Sequence, residues 1–402
     1  MAFERILPQG PELPAGSRVY SHIVTGLLMS FTVKIAQVAP LFESVPPKLY
    51  GGTERIVSYL TEELVRQGHD VTLFASGDST TGAELVAIND TALRLSKEHR
   101  NPVLEHVLMM ECLRERCGDF DIIHFHTDLL QFPFLRTLGR ASLTTLHGRL
   151  DEPGIVPFYR EFSEAHLVAI SCSQRRSLPR EAQVSVIHHG LPADLLACTP
   201  GPGRYLAFLG RIAPEKGVVD AIEIAVAAGL PLKIAAKVDK ADKTYWEEIV
   251  GPLIERSPNV EYIGEIDEFE KMEFLGNAMA LLFPIDWPEP FGLVMIEAMA
   301  CGTPVVAYPM GSVPEVIEEG RSGYVVGTVD AAVKALDKIE KLDRRIVRQC
   351  FDRRFTVEHM TERYIRLYEK LSDSRPVNGH KYGRPLAPLS PRLQEQSIDH
   401  LQ

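Results

Sequence analysis

Two glutamates carry the densest chemistry in the chain, Glu289 and Glu297, in the run from Pro288 through Glu289-Pro290-Phe291-Gly292-Leu293 to Gly302-Thr303-Pro304. Glu289 stands before a Pro-Phe-Gly turn that is predicted to open a helix, and Gly302 with Pro304 is predicted to end it. Glu297 falls about one turn inside that helix among apolar neighbours. A carboxylate there faces a polar cavity or carries a burial cost on the order of several kcal/mol. The helix start behind Gly292 presents amides and a positive dipole end, which suit a phosphate. Carboxylates for hydroxyls beside amides for phosphates fit a sugar nucleotide.

Two cations strengthen that reading. Arg211 and Lys216 share the loop Gly210-Arg211-Ile212-Ala213-Pro214-Glu215-Lys216-Gly217 between an apolar strand and a helix. A forked cation and a point charge at the end of a strand suit a diphosphate; the alternative is a solvated loop with an Arg211–Glu215 ion pair. Gly51-Gly52, before Thr53-Glu54, lets a ligand approach the backbone, or is a plain tight turn. Neither G-x-G-x-x-G nor G-x-x-x-x-G-K-[ST] is present, which weakens a nicotinamide dehydrogenase.

The elements that must position these residues alternate between short apolar runs and amphipathic helices, the pattern of parallel α/β sheets. Strands are predicted at 33–39, 71–75, 122–125, 143–146, 167–170 and 184–187, with a helix over 53–67 that buries Ile56, Val57, Leu60 and Leu64. Pro and Gly then break the pattern around 197–204, and strands resume at 205–209, 232–236, 260–263, 280–283, 304–307 and 323–326. The expected fold is therefore α/β: two Rossmann-like parallel-sheet domains, of about six strands each, facing one another across a cleft. Residues 1–31 read as an extension, 32–197 as the first Rossmann-like domain and 204–355 as the second. Residues 356–371 read as a helix able to cross the junction, and 372–402 as a disordered tail. Met29 is an alternative start to Met1.

Composition narrows the function classes. The 402 residues are 45% hydrophobic and 24% charged, the profile of a globular protein with more than one core. A net charge of −11 argues against nucleic acid. The six cysteines show no C-x-x-C and no ligand spacing, so free thiols in the cytoplasm are expected, with no metal. No run of the sequence offers about 20 uninterrupted apolar residues for a spanning helix.

The glutamate segment resembles the E-x7-E motif of retaining glycosyltransferase family 4. Gly51-Gly52-Thr53-Glu54, Thr145-Leu146-His147-Gly148 and Phe208-Leu209-Gly210-Arg211 through Lys216-Gly217 occur in that family's order. The resemblance implies the GT-B fold and transfer of a hexosyl unit from a nucleoside-diphosphate sugar, a UDP-sugar first. No cofactor or metal is implied, and the expectation is that no D-x-D motif of the metal-dependent transferases occurs. It implies Arg211 and Lys216 on the diphosphate, Gly52 opposite, and Glu289 on sugar hydroxyls. Phe291, Gly292 and Leu293 would meet the phosphates, Glu297 the ribose, Gly264 and Ile266 the base, and His147 the reaction centre. Acceptors would be sugars, lipid-linked groups or small molecules met by variable loops near 48–51 and 78–100. An epimerase, a glucan synthase and a non-catalytic nucleotide-sugar binder are the alternatives of the same fold. His124 and His126 either line the cleft or are structural, and His188-His189-Gly190 reads as structural. Ser312 replaces a glycine common in relatives, which weakens an expected donor contact. Arg175, Arg176 and Arg180 read as a solvated face before a membrane-contact one.

Overall fold

The computed structural model describes residues 32–48, 51–98 and 100–373. The N-terminal extension, the choice between Met1 and Met29, and all of the C-terminal tail beyond residue 373 lie outside the described residues. Seven strands form the first sheet: β1 (Lys34–Val38), β2 (Asp70–Ala75), β3 (Glu84–Ala87), β4 (Ile122–Phe125), β5 (Ala141–Leu146), β6 (His166–Ala169) and β7 (Gln183–Val186). Six form the second: β8 (Tyr205–Arg211), β9 (Leu232–Lys237), β10 (Val260–Gly264), β11 (Ala278–Phe283), β12 (Val305–Ala307) and β13 (Gly323–Val325). Their orders are β3-β2-β1-β4-β5-β6-β7 and β10-β9-β8-β11-β12-β13. The paired strands run parallel in both sheets.

Both sheets thus reverse their winding beside the first strand, between β1 and β4 and between β8 and β11. That reversal parts the loops at the carboxyl ends of the strands and opens a crevice there. The seventh strand of the first sheet is β3, inside the stretch expected as a variable loop. It is a four-residue edge strand with no buried residue, so it lacks the continuous apolar run that marks a central parallel strand.

The long helices follow their sequence signals. Gly52–Arg66 buries Ile56, Val57, Leu60 and Leu64, and Val218–Ala228 buries Val218, Ala221, Ile222 and Ala225. Gly217 precedes the latter with φ 72°, and a Cβ there would stand 1.9 Å from the Pro284 carbonyl oxygen, so this turn requires glycine. The last helix, Val357–Ser372, buries Val357, Met360, Thr361, Tyr364, Tyr368 and Leu371 and is N-capped by Thr356. Although it follows the second sheet, it packs on Gly52–Arg66 and on β4 and β5 of the first. Its entry is pinned where Leu191 N donates to Phe355 O at 2.9 Å and Val357 N donates to Leu191 O at 2.8 Å. One apolar cluster runs from Ile35 and Leu60 through Ile170 and Leu191 to Phe291, Phe355 and Tyr364, so the two sheets share part of their core.

Candidate active site in the interdomain cleft

A cavity of about 400 Å³ lies between the two sheets, at the carboxyl ends of their strands. That volume suits a small-molecule ligand. The first domain contributes Gly51, Gly52, Arg55, His147, Ile170 and His189 to its wall. The second contributes, among others, Arg211, Lys216, Lys271, Glu289 and Glu297.

The second wall is a set of ion pairs. Lys216 Nζ donates to Glu289 Oε2 at 2.6 Å, and Trp287 Nε1 donates to the same oxygen at 3.0 Å. Lys216 Nζ also lies 4.7 Å from the centre of the Trp287 ring. Three contacts therefore hold one carboxylate and one ammonium at the mouth of the Pro288–Phe291 turn. The turn is braced from behind: Ser312 N donates to Glu289 O at 3.0 Å, and Ser312 Oγ donates to Phe291 O at 2.7 Å. Ser312 thus supports Glu289 and does not itself appear in the cavity wall.

Gly292, with φ 77°, opens the helix Leu293–Ala300, and no side chain caps that end. Phe291, Gly292 and Leu293 all line the cavity. Gly52 faces them, since a Cβ on it would lie 3.6 Å from Leu293 Cδ1. Glu297 is 2% exposed and accepts from Lys271 Nζ at 2.7 Å. Lys271 also reaches Glu268 at 3.2 Å, and Glu268 pairs across the cleft with Arg55.

Arg211 lines the cavity with its Nη2 2.7 Å from Glu215 Oε1 and with Asp239 and Asp242 each at 3.7 Å. The Glu215 pair expected of a solvated loop is present, and Arg211 lines the cavity as well. Ile266 lies in the wall between Glu265 and Asp267, whereas Gly264 falls just outside it with φ 83°.

The first wall holds imidazoles. His147 follows β5 directly, with its Nε2 2.9 Å from His126 Nδ1 and the His189 ring nearly parallel at 5.3 Å between centres. Burial pushes His147 down to about 3, so its ring is neutral at pH 7. His189, read from sequence as structural, is in the cavity wall. His188 keeps a structural role, 3.2 Å from Glu315. His124 and His126 are buried and hydrogen-bonded, and they stand behind His147 instead of lining the cavity.

Against the expectation of no D-x-D, one literal string does occur, Asp119-Phe120-Asp121, but it stands at the entry to β4 and so at the strand end away from the cavity. Asp121 accepts from Lys34 N at 2.9 Å and Asp119 pairs with Arg116 at 3.3 Å.

Two family models match the two halves of this arrangement. Glycosyltransferase Family 4 covers residues 50–195, and Glycosyl transferases group 1 covers residues 199–350. The chain belongs to glycosyltransferase family 4. It is similar to the phosphatidyl-myo-inositol mannosyltransferase of Mycolicibacterium smegmatis, 26% identical over 74% of this chain and 82% of the relative. The alpha-maltose-1-phosphate synthase of the same organism is 28% identical over 84% of this chain and 100% of the relative. Among solved structures, AviGT4, a glycosyltransferase involved in avilamycin A biosynthesis, superposes with TM-score 0.65 at 24% identity, covering 85% and 98% of the two chains. Anabaena HepE in complex with UDP-glucose superposes with TM-score 0.63 at 16% identity, covering 84% and 100%. The fold of this family 4 glycosyltransferase is accordingly GT-B.

Several wall residues of the transferase carried no sequence signal. Arg55 and Lys271 lie on helices as ordinary surface-type cations, and only the folded chain brings them to the cleft. Gln37 had a readable signal, a polar residue in the apolar strand Lys34–Val38, and it is fully buried.

Among the described residues no helix is long and apolar enough to cross a membrane.

Proposed function

We propose that this glycosyltransferase moves a hexosyl unit from a nucleoside-diphosphate sugar, a UDP-sugar in the first instance, with retention of configuration and without a divalent metal. The observation that carries the reading is the meeting, in one cavity, of Lys216, Arg211, an uncapped helix start and two paired glutamates.

Breaking the bond between sugar and phosphate leaves positive character on the ring and negative charge on the departing diphosphate. Lys216, Arg211 and the amides behind Gly292 are fixed before the reaction and answer the second charge, the role a metal plays elsewhere. Glu289 would hold hydroxyls of the transferred sugar while Lys216 turns to the phosphate beside it. Glu297 would hold the ribose, Ile266 and its neighbours the base, and Gly52 the phosphates from the opposite domain. His147 would stand beside the sugar. No carboxylate is assigned as a nucleophile.

The relatives support a sugar-nucleotide donor: HepE was crystallised with UDP-glucose, and the mycobacterial relatives are a mannosyltransferase and a maltose-1-phosphate synthase. The acceptor is a sugar, a lipid-linked group or a small molecule. The exposed Arg175, Arg176 and Arg180 are assigned to solvent. The free thiols fit work in the cytoplasm, where sugar nucleotides are made.

Incubation with UDP-, GDP- and ADP-sugars in excess EDTA, following nucleotide release, tests the proposal. Release from one donor class in EDTA is the expected result. Release only after Mg²⁺ or Mn²⁺ is added back would overturn metal independence, and binding without release would leave a non-catalytic nucleotide-sugar binder.

A further inference from the structure

Behind the first wall of the cavity runs a chain of hydrogen bonds that begins on the last helix. Tyr368 Oη lies 3.2 Å from Gln37 Nε2 and 2.8 Å from His124 Nδ1. Gln37 Oε1 lies 2.7 Å from His126 Nε2, and His126 Nδ1 lies 2.9 Å from His147 Nε2. His124 Nε2 reaches Thr145 Oγ1 at 2.7 Å, and Thr145 Oγ1 reaches Tyr364 Oη at 2.9 Å. Gln37, His124, His126, Thr145, Tyr364 and Tyr368 are each at most 2% exposed. The strand register sets the chain up, because Gln37 on β1 is paired with His124 on β4.

The chain has a direction, set by the Gln37 amide. Its oxygen faces His126, and an amide oxygen only accepts, so His126 Nε2 must carry a proton. Burial and the neighbouring imidazoles push His126 well below the usual histidine range, so the ring is neutral and its other nitrogen is bare. A bare His126 Nδ1 only accepts, so His147 Nε2 carries the proton and donates. His147 is neutral as well, which leaves its Nδ1 without one. That Nδ1 is buried and has no hydrogen-bond partner among the described residues, although His147 lines the cavity. A bare acceptor is the less costly group to leave in that position, since buried N–H groups without partners are rare. On the other side, Gln37 Nε2 donates to Tyr368, and Tyr368 donates to His124 Nδ1.

We propose that Gln37, held by Tyr368 of the last helix, acts through His126 as a positioning residue that fixes His147 in its Nε2–H tautomer, so that Nδ1 receives a hydrogen bond from a hydroxyl of the transferred sugar. The sugar-hydroxyl part rests on the transferase reading given above; the tautomer part does not. With Nε2 committed inward to His126, Nδ1 is the one ring nitrogen left for a cavity ligand. It meets that ligand as an acceptor, and His147 is excluded as a proton donor at this point. The last helix thereby sets the chemistry of a residue on the first domain.

The experiment is long-range ¹H–¹⁵N correlation spectroscopy on the full chain labelled at histidine, with His147 assigned through His147→Gln, combined with nucleotide-release kinetics. Wild-type His147 is expected to show a protonated Nε2 and a bare Nδ1. Gln37→Met removes the acceptor facing His126, so the single tautomer should become a mixture, with a roughly tenfold loss in kcat/KM for one misdirected hydrogen bond. Gln37→Glu should charge His126, whose Nδ1 then donates, and so turn His147 to the Nδ1–H form. Tyr368→Phe is a second route to the mixture should the Gln37 variants fold poorly. A wild-type His147 protonated at Nδ1 would overturn the proposal outright. So would Gln37→Met or Tyr368→Phe variants that lose thermal stability yet keep the wild-type tautomer and kinetics. If no sugar nucleotide is turned over, the hydroxyl contact falls with the transferase reading, while the spectra still judge the relay.

Discussion

The two walls of the cavity solve the problem of a buried polar surface in opposite ways. The wall of the second domain is charged: Lys216 with Glu289, Lys271 with Glu297, and Arg211 among three carboxylates. Apart from Lys48 and Arg55, the wall of the first domain is neutral, with His147 and His189 at the cavity and His124 and His126 behind them, all pushed down by burial. Charge can be partly buried when each ion keeps a partner close by, whereas an imidazole in the same place sheds its proton. The difference teaches where charge is to be met. A cavity with ion-paired cations beside the Leu293–Ala300 helix and uncharged imidazoles at His147 and His189 suits a ligand whose anionic part and hydroxylated part are separate.

The largest effect should come from breaking the charged wall. Lys216→Ala removes a preorganised cation and leaves Glu289, whose side chain is 12% exposed, without its ionic partner. Nucleotide release should fall on the order of 10²–10³-fold, with Arg211→Ala close behind. His147→Ala should cost less, about tenfold, because one neutral hydrogen bond is lost. Measuring kcat for the three variants tests the contrast, and an equal loss in all of them would erase it.

The two glutamates should separate by parameter. Glu289→Ala should lower kcat, because contacts to the sugar matter most as the bond breaks. Glu297→Ala should chiefly raise the donor KM, because a ribose contact is made equally in the ground and transition states. Kinetics alongside melting temperature would expose a purely structural role, in which both variants lose stability and neither parameter moves by itself.

Acid should test the neutral wall. Unfolded histidines take up protons as pH falls through 6.5, while folded His147 resists until about 3 and His124, His126 and His189 also lie far below their usual range. The unfolded chain therefore binds more protons in that window, and stability should decline as pH drops below 6.5. Melting temperature against pH measures the slope, and His126→Gln should flatten it.

The smallest effect concerns Glu315, which joins the domains by accepting from Cys172 N at 2.8 Å and Ser173 N at 2.9 Å, beside His188. These contacts hold its carboxyl down to about 2 from 4.5, against the opposing effect of burial. Its contribution is complete above pH 4.5 and fades as pH falls toward 2. Glu315→Gln should cost about 1–3 kcal/mol at neutral pH, and the gap from wild type should close in acid.

Much of the charged wall was legible in the sequence. Arg211, Lys216, Glu289, Glu297 and Phe291 through Leu293 sit in short contiguous motifs, because a strand end and the helix after it deliver neighbouring residues to one place. The strands of both sheets were legible too, apart from the edge strand β3, whose half-exposed residues carry no core pattern. The neutral wall was legible only at His147, named through the family resemblance; the hydrogen-bond path behind it was not. His126 and His147 are 21 residues apart, and Gln37 and Tyr368 are 331 apart. No local spacing records that four separate segments will meet.

What the sequence determined by itself was the alternation of apolar runs and helices, the glycines at Gly217 and Gly292, and the residue types at the ends of the second sheet's strands. These depend on backbone sterics and periodicity within a few neighbours. What only the tertiary structure decided was which groups share protons and charge: Lys271 with Glu297, Arg55 with Glu268, and the path from Tyr368 to His147. The protonation state of a buried group depends on its desolvation and on the direction of the hydrogen bonds around it. Both are properties of the packed interior, where chain distance no longer matters.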